Sequence, residues 1–88
     1  MKTTKQLERY FKGAANHRRL EILLFVSGYE GATLDIISRE LNCNFKTISE
    51  HTQRLVRAGL MNKKYRGRAV EHSLSPYGRS FVKFAKSF

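Results

Sequence analysis

Apolar side chains fall at helical spacing in five stretches of this chain, and two short strand-like runs interrupt that rhythm before the last of them. Leu7, Tyr10, Phe11 and Ala14 share one face of a helix expected from about Thr3 to Ala14. Asn16 reads as the N-cap of a second helix running to about Ser27. Leu20, Leu23, Leu24 and Ser27 follow a helical spacing there, while Ile22, Phe25 and Val26 widen the apolar face. A helix apolar nearly all round its middle belongs at the centre of a core. "GYEGAT" breaks the pattern with Gly28 and Gly31. A short helix follows from about Leu34 to Leu41, capped by Thr33 or Asp35, with Leu34, Ile37 and Leu41 inward and Ile36 beside them. "NCN" is a tight link into a fourth helix, about Phe45 to Ala58, closed by Gly59, where a positive φ costs little. "LMNKKYR" and "AVEHSL" flank "RGR" as two strands of a hairpin turned at Gly67. Ser75 caps and Pro76 opens a last helix, which lines up Tyr77, Phe81, Phe84, Ala85 and Phe88. The expected fold is mostly α with a small β-hairpin, in the order α-α-α-α-β-β-α, as one domain over residues 1–88.

Composition narrows the function classes. No apolar run approaches the roughly 20 residues of a membrane span. "MKTTKQLERYFK" lacks the apolar segment of a secretory signal. The single cysteine, Cys43, excludes an internal disulfide framework and fits a reducing compartment. The expected localisation is cytoplasmic and nucleoid-associated. Charge then changes the picture. Seventeen Lys and Arg against seven Asp and Glu give +10. Residues 1–44 hold seven basic and five acidic side chains, net +2, while residues 45–88 hold ten and two, net +8. A positive field gathered in one half suits a polyanion, and nucleic acid is the usual one.

The fourth helix carries the chemistry. With Ile48 set at zero and about 100° per residue, Leu55, Thr52, Phe45 and Val56 fall on the inward side. Lys46, Gln53, Glu50 and Arg57 fall opposite, at about 140–200°, with Thr47, Ser49 and Arg54 on the shoulders. These are side chains able to read base edges: Lys reads guanine, Gln adenine, Glu cytosine, and Thr or Ser either way. Asn44 and the free N–H groups behind it suit a phosphate. A short helix precedes this one through a three-residue turn, which is a helix-turn-helix arrangement. Lys63, Lys64, Arg66 and Arg68 around the Gly67 turn form a basic wing suited to phosphates or a minor groove.

At this point the chain resembles a family. "NHRRLEILLFVS", "TLDIISRELNCNFKTISEHTQRLVRAGL" and "LSPYGRSFVKF" look like successive blocks of ArsR-type winged helix-turn-helix regulators, over residues 7 to 88. The most specific matches are Arg19, Leu20, Ile22 and Leu23, then Thr47, Ile48, Ser49, His51 and Leu55 leading to Ala58, Gly59 and Leu60. The resemblance implies a DNA-reading role for Asn44, Lys46, Thr47, Ser49, Glu50 and Gln53, and a wing role for Lys64 to Arg68. It also implies a homodimer paired through the first and last helices, and most often a repressor. Two departures stand out. Thr52 occupies a position where the family usually has Leu, and Phe45 and Lys46 replace a common polar–Pro pair.

The terminal helices, about 3–14 and 76–88, are the expected dimer interface. Leu7, Tyr10, Phe11, Tyr77, Phe81, Phe84 and Phe88 are too many large side chains for one small monomer to hide. The rival is a membrane-surface helix, because Arg79, Lys83 and Lys86 sit among the Phe residues. Family members that sense metals use paired Cys in the third helix, or Asp and His in the last. Neither set is present here, and His17, His51 and His72 lie in three different elements, so no metal or other cofactor is expected. Cys43 reads as a small, partly buried residue, with a redox-sensitive thiol as the sharper alternative. His51 reads as a packed, hydrogen-bonded histidine, with base reading as the sharper alternative, and Tyr65 as packing against a neighbour, with contact to a sugar as its alternative. No Gly-rich phosphate loop, nucleophile–base arrangement or carboxylate pair supports an enzyme. The expected function is a sequence-specific, double-stranded-DNA-binding transcriptional regulator, a dimeric repressor on an inverted-repeat site. The alternative is a winged-helix module that binds a protein partner or RNA.

Overall fold

The computed structural model describes all 88 residues, Met1–Phe88. Helices α1 (Thr4–Ala14), α2 (His17–Ser27), α3 (Leu34–Glu40) and α4 (Phe45–Arg57) precede strands β1 (Met61–Arg66) and β2 (Ala69–Leu74), and α5 (Pro76–Lys86) closes the chain. The order is the expected one, and the caps explain the boundaries. Thr3 stands just outside α1, where its hydroxyl accepts from Gln6 N and its own N–H donates to the Gln6 side chain. Asn16 Oδ1 accepts from both Arg18 N and Arg19 N. Thr33, not Asp35, caps α3, accepting from Ile36 N at 3.4 Å. Ser75 Oγ accepts from Gly78 N at 3.0 Å and donates to the Gly59 carbonyl at 2.6 Å, so one hydroxyl joins the end of α4 to the start of α5.

Both helices of the α3–α4 pair end in the same left-handed turn. After α3, Asn42 takes φ 49°, and Cys43 N donates to Ser38 O while Asn42 N donates to Arg39 O. After α4, Gly59 takes φ 83°, Leu60 N donates to Leu55 O, and Gly59 N donates to Val56 O. These are Schellman turns, which satisfy the last free carbonyls. The second also buries Leu60 beside Leu55.

Thirteen buried apolar residues form one core. Ile22, Leu23 and Val26 of α2 sit at its centre, with Ile37 of α3, Ile48 and Leu55 of α4, and Leu60, Met61, Leu74 and Val82 around them. Two close approaches set the outer helices. A Cβ on Gly13 would collide with Ala58 Cβ, so α1 crosses the end of α4 where neither residue has bulk. A Cβ on Gly78 would collide with the Leu60 carbonyl, which fixes α5 against the start of the hairpin.

The hairpin pairs Met61 with Leu74 through to Arg66 with Ala69. Its two-residue turn places the positive φ at Gly67 alone, the arrangement a twisted hairpin favours. The sequence pattern did not disclose what braces it. Ala32, in the "GYEGAT" segment, bridges His72 across the outer side of β2. His72 N and Gly31 N supply the backbone bonds, and the buried His72 Nδ1 lies 3.0 Å from Ala32 O. A carbonyl only accepts, so Nδ1 carries the proton. Glu30 adds a second brace: one oxygen accepts from Leu74 N at 3.1 Å and the other meets Arg79 at 2.9 Å.

Candidate nucleic-acid interface

The cap of Asn44, whose Oδ1 accepts from Thr47 N at 3.2 Å, starts α4 and places its residues around the axis. Ile48, Thr52 and Leu55 are buried; Lys46, Glu50, Gln53, Arg54 and Arg57 are exposed, and Thr47 and Ser49 lie half-buried between. Asn44 itself is exposed ahead of them. The long polar face is therefore free of the fold that holds it.

One inward expectation on this helix is wrong. Phe45 falls on the inward side by its angle, yet it is 50% exposed. It occupies the first position of α4, beyond the edge of the core, and lines a shallow surface recess with Thr33, Asp35 and Arg68 near the wing tip. Angle around a helix says nothing about position along it.

The wing extends past the core. Only Met61 of β1 is buried; Lys63, Lys64, Arg66 and, at the turn, Arg68 are exposed. Arg66 Nε pairs with Glu71 Oε1 at 3.3 Å, so part of its charge is already engaged. Tyr65 is 67% exposed on the same strand, with Lys63 Nζ 5.8 Å from its ring centre. Between wing and helix lies a small cavity of about 130 Å³, lined by Ser49, Thr52 and Gln53 from α4 and by Lys63, Tyr65 and His72 from the hairpin. Thr52 Oγ1 is buried and has no hydrogen-bond partner, which is the polar consequence of Thr in place of an aliphatic residue.

His51 and Arg19 form a contact beneath the other flank of α4. Arg19 donates from a terminal nitrogen to His51 Nδ1 at 3.4 Å, which requires Nδ1 to be unprotonated because a guanidinium only donates. Burial, then the charges of Arg19 and Arg54, push the His51 pKa below its ordinary value. Burial and the Arg54 charge likewise lower that of Arg19. Sequence spacing gave no sign that Arg9 and Lys12 of α1 and Arg19 of α2 gather beside Arg54 and Arg57. Cys43 is half-buried against the core. No three His, Cys, Asp or Glu side chains converge as metal ligands, and no helix is long and apolar enough to cross a membrane.

The aromatic residues of α1 and α5 meet across one face. Tyr10 and Tyr77 rings lie 5.0 Å apart, Phe11 and Phe81 5.9 Å, Phe81 and Phe84 6.4 Å, and Phe84 and Phe88 5.2 Å. Leu7, Phe11, Tyr77, Phe84 and Phe88 remain exposed, while Tyr10 and Phe81 are half-buried.

A short helix, a four-residue turn over residues 41–44, an exposed polar helix and a basic hairpin define a winged helix-turn-helix. The structural neighbours include HlyU from Vibrio cholerae, at a TM-score of 0.86 and 24% identity over 96% of this chain and 91% of that one. They also include the homodimeric winged helix-turn-helix DNA-binding domain of Mb0332 from Mycobacterium bovis, a possible ArsR-family transcriptional regulator, at 0.84 and 24% over 96% and 79%. A third is the transcriptional repressor PagR of Bacillus anthracis, at 0.85 and 18% over 93% and 94%. No protein-family model and no curated protein sequence matches the chain.

Proposed function

We propose that this protein is a dimeric, sequence-specific regulator of transcription that binds double-stranded DNA, most simply as a repressor occupying a promoter, and not an enzyme. The observation that carries the reading is the free face of α4, with Lys46, Glu50, Gln53 and Arg57 exposed beside a basic wing. In this reading α4 enters the major groove, Lys46 and Gln53 read bases, and Asn44, Thr47, Ser49 and Arg54 hold its flanks. Lys63, Lys64, Arg66 and Arg68 follow the backbone or enter the neighbouring minor groove. The exposed aromatics of α1 and α5 form the interface of a two-fold homodimer. Such a dimer presents two recognition helices about one DNA turn, roughly 34 Å, apart and favours an inverted repeat. The homodimeric state of the Mb0332 domain supports this arrangement.

Selection from a randomised duplex library, followed by sequencing and a salt titration, tests the reading. A selected inverted repeat and a slope of log K against log salt of about −5 to −10 are expected. Lys46→Ala and Gln53→Ala should each change base preference at a cost of about 1–3 kcal/mol, whereas Arg68→Ala weakens all sequences alike. No duplex binding at low salt, or binding only to RNA or a protein partner, refutes it.

A further inference from the structure

The wing lies along only one side of α4. The opposite side, beyond Arg54, opens into a cleft of about 310 Å³ lined by Arg9, Lys12, Arg19, Arg54 and Arg57. Gly13 and Ala58 form its floor, at the close crossing of α1 and α4. Three helices therefore deliver five cations to one concavity, and no acidic side chain lines it.

The folded protein does little to neutralise them. Its four ion pairs involve Lys12 alone of the five, at 3.4 Å from Glu8. Arg9 donates to the Tyr10 hydroxyl, which carries no compensating charge. Arg19 Nε is buried without any hydrogen-bond partner. Lys12, Arg54 and Arg57 lie in the last turns of their helices, where a cation suits the helix dipole. Arg19 lies in the first turn of α2, where the dipole opposes it. Helix electrostatics thus account for three of the cations and not for the assembly.

The cleft is also continuous with the proposed reading face, because Arg57 belongs to both. A helix seated in a major groove has a phosphate backbone on each side. The wing takes one flank, next to Ser49, Gln53 and Lys63. We infer that the cleft is a second phosphate-binding site, which seats phosphodiester oxygens of the backbone on the flank of α4 opposite the wing. The inference rests on the DNA-binding reading and adds Arg9, Lys12 and Arg19 to it. A free phosphate compound offers the same chemistry, so the experiment separates the two sources.

Arg9 and Lys12 are exposed and belong to neither the proposed reading face nor the wing, so R9Q/K12Q is the variant of choice, with Arg68→Ala in parallel, thermal unfolding as the control for folding and sedimentation equilibrium as the control for dimerisation. If each lost cation releases one phosphate contact, the salt slope becomes shallower by about 2 per subunit, and affinity at about 0.15 M salt falls about 30-fold per subunit, for selected and random duplexes alike. Titration with pyrophosphate forms the second arm. Saturable pyrophosphate binding that R9Q/K12Q abolishes, with an unchanged DNA slope, overturns the backbone assignment in favour of a free anion. An unchanged slope without pyrophosphate binding overturns the site altogether. If Arg68→Ala weakens DNA binding and R9Q/K12Q does not, only this inference fails; if the wild type binds no duplex, the DNA-binding reading fails first.

Discussion

Thr52→Val should make this protein more stable without altering what it binds. Thr52 is 2% exposed, and its hydroxyl oxygen has no hydrogen-bond partner. Leaving such a group buried and unpaired costs about 1–3 kcal/mol relative to water, while an apolar group of the same shape carries no such penalty. Val and Thr have similar volumes and similar helix propensities, so neither packing nor the backbone offsets the gain. The expected stabilisation is about 1 kcal/mol, which corresponds to a rise in Tm of about 4–8 °C for a domain of this size. Urea unfolding is the direct assay, read at an unchanged m-value so that the midpoint alone reports stability. Thr52→Ser is the counterpart: it keeps the hydroxyl, loses a methyl and should be destabilised. DNA affinity should stay within about twofold, because Thr52 lies about 100–160° around α4 from the reading face. A Thr52→Val protein less stable than wild type by about 1 kcal/mol would show that the hydroxyl is bonded in solution and would refute the reasoning.

Three further outcomes are expected. Removing Phe84 and Phe88 together, which are 50% and 93% exposed, should weaken dimerisation and DNA affinity while leaving the core stable; sedimentation equilibrium decides, and a variant that dimerises like wild type contradicts the interface. Gly78→Ala should destabilise by about 1–3 kcal/mol or more, since the new Cβ meets the rigid Leu60 carbonyl, and a neutral effect in thermal unfolding would disprove that contact. Burial lowers the His72 pKa, outweighing the bond to Ala32, so the unfolded chain binds the proton more readily. Stability is therefore complete above about pH 6.5 and falls as pH drops below it, with a limiting slope of about 1.4 kcal/mol per pH unit for this one group; stability that is flat or rises on acidification from pH 6.5 to about 5.5 rules this out.

The elements and their ends are local properties of the chain. Asn16, Asn44 and Ser75 act on N–H groups two or three residues away, and Gly59 and Gly67 relieve strain at their own backbone, so these signals are complete within one short window. The polar face of α4 was legible for the same reason, because period and residue type are both local. Tertiary structure decided the rest. Ala32 meets His72 and Glu30 meets Leu74 across forty or more residues, and no periodicity marks such pairs. Phe45 ends in solvent because the core reaches back only to Ile48 and not to the first residue of α4, which a helical angle cannot express. The basic cleft was the least visible of all. Arg9, Lys12, Arg19, Arg54 and Arg57 belong to three helices, and each alone looks like an ordinary solvated side chain. They share one concavity only because Gly13 and Ala58, both small, let α1 cross the end of α4 at close range.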